Sequence, residues 1–230
     1  MGIRVGPGSL VEEGVLLGSP AGTRGTEAAL ATGRDAIIRQ GSALHNGVRA
    51  GERLETGRNV VIAEDTSLGD DCSVGHNTVI GHGCTIGDRV RIDANCSIAA
   101  LSTIGDDVWV AAGVQLANDP HPGSPTNLCA RGPTLERGAQ IGVGATICSF
   151  VEVGEASLVE PGSVVAESVP AGLVVGGNPA RVRGAVADVR CPLDLPDGGY
   201  LSVTAPPARA ERARTRGRGP SLARSSSGYS

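Results

Sequence analysis

Residues 68–98 read LGDDCSVGHNTVIGHGCTIGDRVRIDANCSI, and the same arrangement returns every six positions. Gly, Ala or Asp usually follows an aliphatic residue, and Thr, Cys, Val or Ser stands four positions after it. Ten aliphatic positions follow without a miss: Ile62, Leu68, Val74, Ile80, Ile86, Ile92, Ile98, Ile104, Val110 and Leu116. An α-helix needs a period of about 3.6 and an extended strand a period of about two, so this period predicts very short strands separated by tight turns.

The repeat is interrupted once in the middle of the chain. It resumes at Leu135 after a gap of nineteen residues, which shifts the phase by one, and continues through Ile141, Ile147, Val153, Val159 and Val165. A weaker early segment contains Val5, Val11, Leu17, Ile38 and Leu44. The interruption contains GVQLANDPHPGSPTN, residues 113–127, and its prolines and polar residues predict a loop extruded near 117–134.

The composition restricts how the core is built. Aromatic residues make up 2% of the chain, with one Trp (Trp109) and one Phe (Phe150), so Val, Ile, Leu and Ala must fill the core. Cys72, Cys84 and Cys96 stand at the repeat position of Thr and Ser in other repeats, which predicts small core residues; no C-x-x-C pair suggests zinc. Every basic residue is Arg, so any cationic contact to phosphate must come from a guanidinium group.

This repeat resembles that of the bacterial hexapeptide-repeat acyltransferases over roughly residues 1–185. The resemblance implies an all-β fold, a left-handed parallel β-helix with three hexapeptides to each triangular coil. We expect residues 186–204 to be a short extension and 205–230 a basic, disordered tail. Residues eighteen apart become neighbours, so Asn77 and Asn95 should stack at one corner.

Charge and hydropathy bear on the partners and the compartment. The net charge of −4 hides a tail with six Arg and one Glu, but this tail has no interleaved aromatics and no amphipathic stripe. A signal peptide and an apolar run of about 18 residues are both lacking. We therefore expect a cytoplasmic protein that binds neither nucleic acid nor membrane.

The loop carries a second resemblance. GVQLANDPHP is similar, without a gap, to the NVTLSVTGHP stretch of the galactoside and maltose O-acetyltransferases, which implies that His121 is the catalytic base. The stretch also resembles the VVFTNDxYPR segment of the nucleotide-sugar amino N-acetyltransferases, in which Asn118 and Asp119 match. An acceptor group needs a base that titrates near neutrality, and a neighbouring carboxylate or amide can hold the imidazole ring. The oxyanion is expected to bind backbone N–H groups at a turn.

Three further residues are candidates for the acceptor site. RIDANCSI resembles the KVQNNVSV stretch of the amino-sugar enzymes, which implies that Asn95 faces the acceptor amine and makes His121 less important. Asn77 would stack on Asn95, while His82 would share a corner with Ala100 and Asn118. For each of these side chains the alternative is an ordinary exposed turn residue.

The C-terminal repeats carry the expected cofactor site. SVPAGLVVGGNPARVRG is similar to the DVPPYALVVGNPARVI ending of both enzyme groups, which implies acetyl-CoA as co-substrate and no metal. The matching residues are Gly177, Asn178, Pro179, Arg181 and Arg183. Where the family has a Lys before this motif the chain has Glu167. The resemblance also implies a homotrimer with active sites between subunits.

The sequence is compatible with functions other than acyl transfer. A noncatalytic β-helix scaffold is one alternative, and a γ-class carbonic anhydrase is another. The carbonic anhydrase is disfavoured because His76 and His82 are six residues apart, on successive corners. The small-molecule acceptor could be a nucleotide-linked amino sugar, a free sugar hydroxyl or the amino group of a specialised metabolite.

Overall fold

The computed structural model describes residues 2–19, 28–123 and 129–190 of the chain. The tail from 205, and all but the first residues of the predicted extension, lie outside this range. Three parallel sheets, which we name A, B and C, form the three faces of a triangular prism. The predicted all-β fold, a left-handed parallel β-helix, is confirmed.

Almost every strand is two residues long, as the period of six predicts. Sheet A consists of β1 (Ile3–Arg4), β4 (Leu30–Thr32), β7 (Arg49–Ala50), β10 (Ser67–Leu68), β13 (Thr85–Ile86), β16 (Thr103–Ile104), β19 (Thr134–Leu135) and β22 (Glu152–Val153). Sheet B consists of β2 (Leu10–Val11), β5 (Ile37–Ile38), β8 (Glu55–Thr56), β11 (Ser73–Val74), β14 (Arg91–Ile92), β17 (Trp109–Val110), β20 (Gln140–Ile141), β23 (Leu158–Val159), β25 (Leu173–Gly177) and β26 (Ala180–Ala185). Sheet C consists of β3 (Leu16–Ser19), β6 (Ala43–His45), β9 (Val61–Ile62), β12 (Val79–Ile80), β15 (Ser97–Ile98), β18 (Gln115–Leu116), β21 (Thr146–Ile147) and β24 (Val164–Val165).

The turns between the sheets form the three edges of the prism. We call them edge AB (in one coil, residues 69–72), edge BC (75–78) and edge CA (81–84). Each regular coil takes eighteen residues, because Ser67 pairs with Thr85 and Thr85 with Thr103. Neighbouring coils are therefore about 4.8 Å apart along the axis.

The core is a stack of aliphatic side chains. All ten aliphatic positions from Ile62 to Leu116 are buried, with at most 5% of their surface exposed. Trp109 and Phe150 point outward and are 42% and 50% exposed, as expected if the prism is too narrow for aromatic side chains. The early repeats differ, because Val5 and Val11 lie in the first coil, where no further coil covers them, and are 37% and 38% exposed.

Edge AB carries paired charges. Arg53 donates two hydrogen bonds to the carboxylate of Asp71 (2.7 and 2.9 Å), and Arg89 donates two to Asp107 (2.6 and 3.0 Å). Each pair joins residues eighteen apart, so the bonds connect consecutive coils. These arginine and aspartate side chains therefore bind each other across consecutive coils.

The C-terminal end of the prism is closed by an antiparallel hairpin. β25 continues sheet B and pairs with β26, and the two strands are joined through a cis Asn178–Pro179 peptide. A short 3-10 helix, Val186–Asp188, follows and buries Val186. No helix in the described part of the chain has the length and apolar character needed to cross a membrane.

Candidate functional site

The interruption at 117–133 is an insertion into one regular coil. Thr103 pairs with Thr134, 31 residues away instead of 18, so thirteen extra residues leave the prism between β18 and β19. The N–H of Arg131 donates to the carbonyl oxygen of Asn118 at 2.8 Å, which closes the base of the loop. The loop therefore leaves from edge CA and returns to it, which confirms the extruded loop; residues 124–128 lie outside the described range.

His121 is exposed within this loop. Its backbone N–H donates to Oδ1 of Asp119 at 2.7 Å, a local turn that holds the main chain around the histidine. Its imidazole ring makes no hydrogen bond to the described residues. Asp119 thus contacts the backbone of His121, and its orienting role toward the ring stays a prediction.

Edge CA brings His82, Ala100 and Asn118 into line, as expected. Val79 pairs with Ser97 and Ser97 with Gln115, which places these three residues on consecutive coils of that edge. His82 is half-buried. A second insertion in the repeat stands at the same edge after β3, because Leu10 pairs with Ile37, 27 residues away instead of 18; residues 20–27 lie outside the described range.

Edge BC carries a ladder of asparagine side chains. Nδ2 of Asn77 donates to Oδ1 of Asn95 at 3.3 Å, which confirms the predicted stacking. The sequence interpretation missed a third member, since Nδ2 of Asn59 donates to Oδ1 of Asn77 at 3.1 Å. Asn59 lies one coil length, eighteen residues, before Asn77, and this spacing could have identified it from the sequence. All three have a φ between 57° and 60°, a left-handed conformation that Asn tolerates well.

The predicted site residues therefore lie on two edges. His121, Asp119, Asn118 and His82 lie on edge CA, whereas Asn77 and Asn95 lie on edge BC. His76, also on edge BC, accepts a hydrogen bond at Nδ1 from the backbone N–H of Arg58 at 2.8 Å. Within one chain the structure does not bring His121 and Asn95 to a common edge.

The C-terminal half of sheet B carries a groove of about 470 Å³ that the sequence interpretation missed. At one end, Nε1 of Trp109 donates to Asp93 at 3.1 Å, and Nε of Arg91 donates to the other oxygen of Asp93 at 2.9 Å. The guanidinium of Arg91 lies 5.1 Å from the indole centroid. The lining is mostly apolar: Ala111, Ala112, Ile141, Val143, Leu158, Val159, Pro161, Val174 and Val189.

The other end of this sheet B groove reaches the C-terminal hairpin. Glu160 lines the groove, and its Oε2 lies 3.8 Å from Nε of Arg183. Gly177 has a φ of 101° at the hairpin turn, next to Asn178 and Pro179. Arg181 lies 3.6 Å from Glu167. Both arginines are exposed, so a stronger anion can compete for them.

Two further features describe the chemistry that is available. Burial raises the pKa of the Cys72 and Cys84 thiols to about 11, so neither is a ready nucleophile. Within the described ranges no three His, Cys, Asp or Glu side chains converge as a metal site would require.

Comparison with known proteins gives a match to part of the chain. The family model described as bacterial transferase hexapeptide (six repeats) matches residues 65–100. A 2,3,4,5-tetrahydropyridine-2,6-dicarboxylate N-acetyltransferase of Clostridium perfringens is 40% identical over 75 residues, 33% of this chain and 30% of that protein. The enzyme of that name from Staphylococcus aureus is 36% identical over 84 residues, 36% of this chain and 33% of that protein. The chain thus spans about a third of the length of the curated relatives it matches.

A solved structure provides a further likeness. A hexapeptide-repeat acetyltransferase of Vibrio cholerae, in complex with acetyl-CoA, is 26% identical, with a TM-score of 0.38. The match covers 49% of this chain and 70% of the other.

Proposed function

We propose that this chain is an acetyl-CoA-dependent acetyltransferase of the hexapeptide-repeat type, acting on an amino or hydroxyl group of a small molecule; the match of residues 65–100 to the bacterial transferase hexapeptide model supports this. The observation that carries the proposal is the sheet B groove, which is mostly apolar and reaches a hairpin with two exposed arginines. The two curated relatives described above carry the name of an N-acetyltransferase, which supports the reaction class.

The groove fits the parts of acetyl-CoA. Alanine, valine and proline side chains suit the thin, flexible pantetheine arm, whose apolar surface they can cover. Backbone N–H and carbonyl groups of the groove can form hydrogen bonds with the amides of this arm. Arg181 and Arg183 are placed to meet phosphates, for which guanidinium groups are well suited. With the phosphates at the hairpin, the thioester lies toward the Asp93–Trp109 end. Acetyl-CoA supplies an activated acetyl group.

The residues of the chain provide the remaining chemistry. A nucleophilic nitrogen or oxygen of the acceptor forms a bond to the thioester carbonyl carbon, and the carbonyl electron pair moves to oxygen. When that pair returns, the carbon–sulfur bond breaks and the thiolate of CoA leaves. His121 takes the proton of the acceptor, and the departing sulfur takes up one proton, so the charges balance.

The positions of loop and groove support assembly of copies. The loop leaves from edge CA, which lies opposite the face formed by sheet B. We infer that a homotrimer brings the His121 loop of one copy to the groove of another, because each chain offers both parts on different sides.

A thiol-release screen tests the proposal. The full chain with acetyl-CoA is assayed against amino sugars, nucleotide sugars, aminoglycosides and tetrahydropyridine dicarboxylate. H121A should lower kcat about 10²-fold or more, because the base is lost while the fold is kept. C129S, an exposed side chain on the same loop, is the matched control and should retain wild-type turnover.

Two outcomes would contradict the assignment. Normal turnover of H121A would remove the histidine from the mechanism and favour a free-amine acceptor bound near Asn95. Absence of acetyl-CoA binding in calorimetry would leave the noncatalytic scaffold as the better description.

A further inference from the structure

The asparagine ladder on edge BC has a direction. Asn59 donates to Asn77 and Asn77 donates to Asn95, so each amide uses its oxygen toward the N-terminal coil and its Nδ2 toward the C-terminal one. An amide ladder could run either way, so something at its start must select the orientation.

Asn59, the first residue of the ladder, determines the orientation of the amides that follow. Oδ1 of Asn59 lies against Gly41, in the space that a Cβ atom on Gly41 would occupy. At the corresponding turns of the other edges, Oδ1 of Asp35 lies against Gly8 and Oδ1 of Asp65 against Gly47. An aspartate can place only oxygen there, and Asn59 places its Oδ1 in the same position. Asn59 therefore directs its Nδ2, and with it every later Nδ2, toward the C-terminal end.

The ladder ends beside the sheet B groove. The next residue on edge BC is Gly113, which has a φ of 74° and no side chain to accept from Asn95. The backbone N–H of Gly113 donates to the carbonyl oxygen of Ala94 at 3.0 Å, which fixes this turn next to Ala112 and Asp93 of the groove. Nδ2 of Asn95 is thus an exposed donor without an acceptor among the described residues. Asn95 lies two residues along the chain from Asp93, which lines the end of the groove that we assign to the thioester.

We propose that the side-chain amide of Asn95 donates a hydrogen bond to the thioester carbonyl oxygen and stabilises the negative charge that develops there. This inference rests on the proposed function. It reverses the role expected from the sequence, in which Asn95 faces an acceptor amine and would have to accept. Asn95 is then a catalytic residue, and Asn59 and Asn77 are positioning residues that determine which of its atoms points outward.

Two substitutions separate the donor from the ladder. N95D keeps the oxygen that accepts from Asn77 but replaces the outer Nδ2 with oxygen, so kcat should fall about 10²- to 10³-fold with CoA affinity unchanged.

N59D acts from two coils away. Its carboxylate can only accept a hydrogen bond, so the side-chain amides of Asn77 and then Asn95 must rotate by half a turn, and Asn95 presents its oxygen outward. It should lower kcat to a similar degree. D35N makes the reverse exchange at the equivalent turn of edge AB and should leave kcat unchanged.

A measurement without turnover accompanies the kinetics. In NMR spectra of the full ¹⁵N-labelled chain, the Asn95 side-chain amide should shift on addition of acetyl-CoA and much less with CoA, which lacks the acetyl carbonyl. Wild-type kcat in N95D, a change confined to the KM of the acceptor, or N59D behaving like D35N would each overturn the assignment. If the wild type neither binds CoA nor releases thiol, the proposed function itself fails, and Asn95 loses its role with it.

Discussion

Cysteine and threonine side chains occupy equivalent inward positions of the coils, but only the cysteine thiol can ionise in the alkaline range. Thr66, Thr78, Cys72, Cys84 and Cys96 are all at most 2% exposed. Oγ1 of Thr66 accepts from the backbone N–H of Cys84 at 3.2 Å, so hydroxyl and thiol side chains occupy the same kind of position on successive coils. The thiols alone can ionise, and burial raises the pKa of Cys72 and Cys84 to about 11 from 9.0.

Stability should therefore fall in alkaline solution. Unfolded thiols lose their protons near pH 9, whereas the folded thiols keep them until about pH 11, so the native state holds more protons in this window. The stabilisation is complete below pH 9 and is lost as the pH rises to 11, by about 3 kcal/mol per thiol at most. The chain has no lysine to titrate in the same range. Urea unfolding at pH 8 and pH 10.5 should show a steep loss for the wild type and a smaller one for C72S/C84S; equal losses would contradict the burial argument.

At the scale of the element, the loop between β18 and β19 is separable from the prism. It leaves and returns at one edge, and the hydrogen bond from Arg131 to Asn118 closes its base. Closing a loop with thirteen inserted residues costs conformational entropy, and these residues add no side chain to the aliphatic core. The fold and the candidate base are thus carried by different parts of the chain.

Deleting residues 119–131 should restore a regular coil. Asn118 would then join Gly132, and Leu135 would follow Leu116 by six positions, in phase with the repeat. We expect the melting temperature to stay level or rise and acetyl-CoA binding to persist, while thiol release falls at least as far as in H121A. The control variant lacks residues 119–130, so Leu135 would follow Leu116 by seven positions and fall out of phase with the repeat. This variant should melt at a lower temperature than the first deletion. Equal melting temperatures of the two deletions would contradict the predicted register of the coils.

The sequence predicted the features that follow from the period and missed the groove on the outer surface of sheet B. The buried positions from Ile62 to Leu116, the stacking of Asn77 on Asn95 and the extruded loop follow directly from counting by six and eighteen. The groove does not, because Trp109 pairs with Gln140 across the insertion, 31 residues away, and outward positions carry no repeat constraint. The partner of Asp119 was also not predictable, since a carboxylate can bond to a backbone N–H as readily as to an imidazole.

On the scale of the whole molecule, one chain carries the two halves of the proposed site on different sides. The His121 loop lies on edge CA and the groove on sheet B, so each copy would give its loop to one neighbour and take a loop from another. A closed ring of three satisfies this head-to-tail relation.

Mixed oligomers test this arrangement. H121A lacks the base, and A112W fills the groove with an indole, so each should be inactive alone. Coexpressed with two affinity tags and purified through both, they should recover about a third of wild-type activity, because in every mixed trimer one of the three interfaces puts a normal loop beside a normal groove. No recovery would indicate that each chain uses its own loop and groove.

The eighteen-residue coil also makes length a discrete quantity. Every duplication or loss of one coil moves the two ends of the prism apart or together by about 4.8 Å and leaves its cross-section unchanged. The separation between the insertion after β3 and the loop after β18 is thus a whole number of such steps. Gain or loss of eighteen residues therefore lengthens or shortens the prism by one step and leaves the packing of its core unchanged.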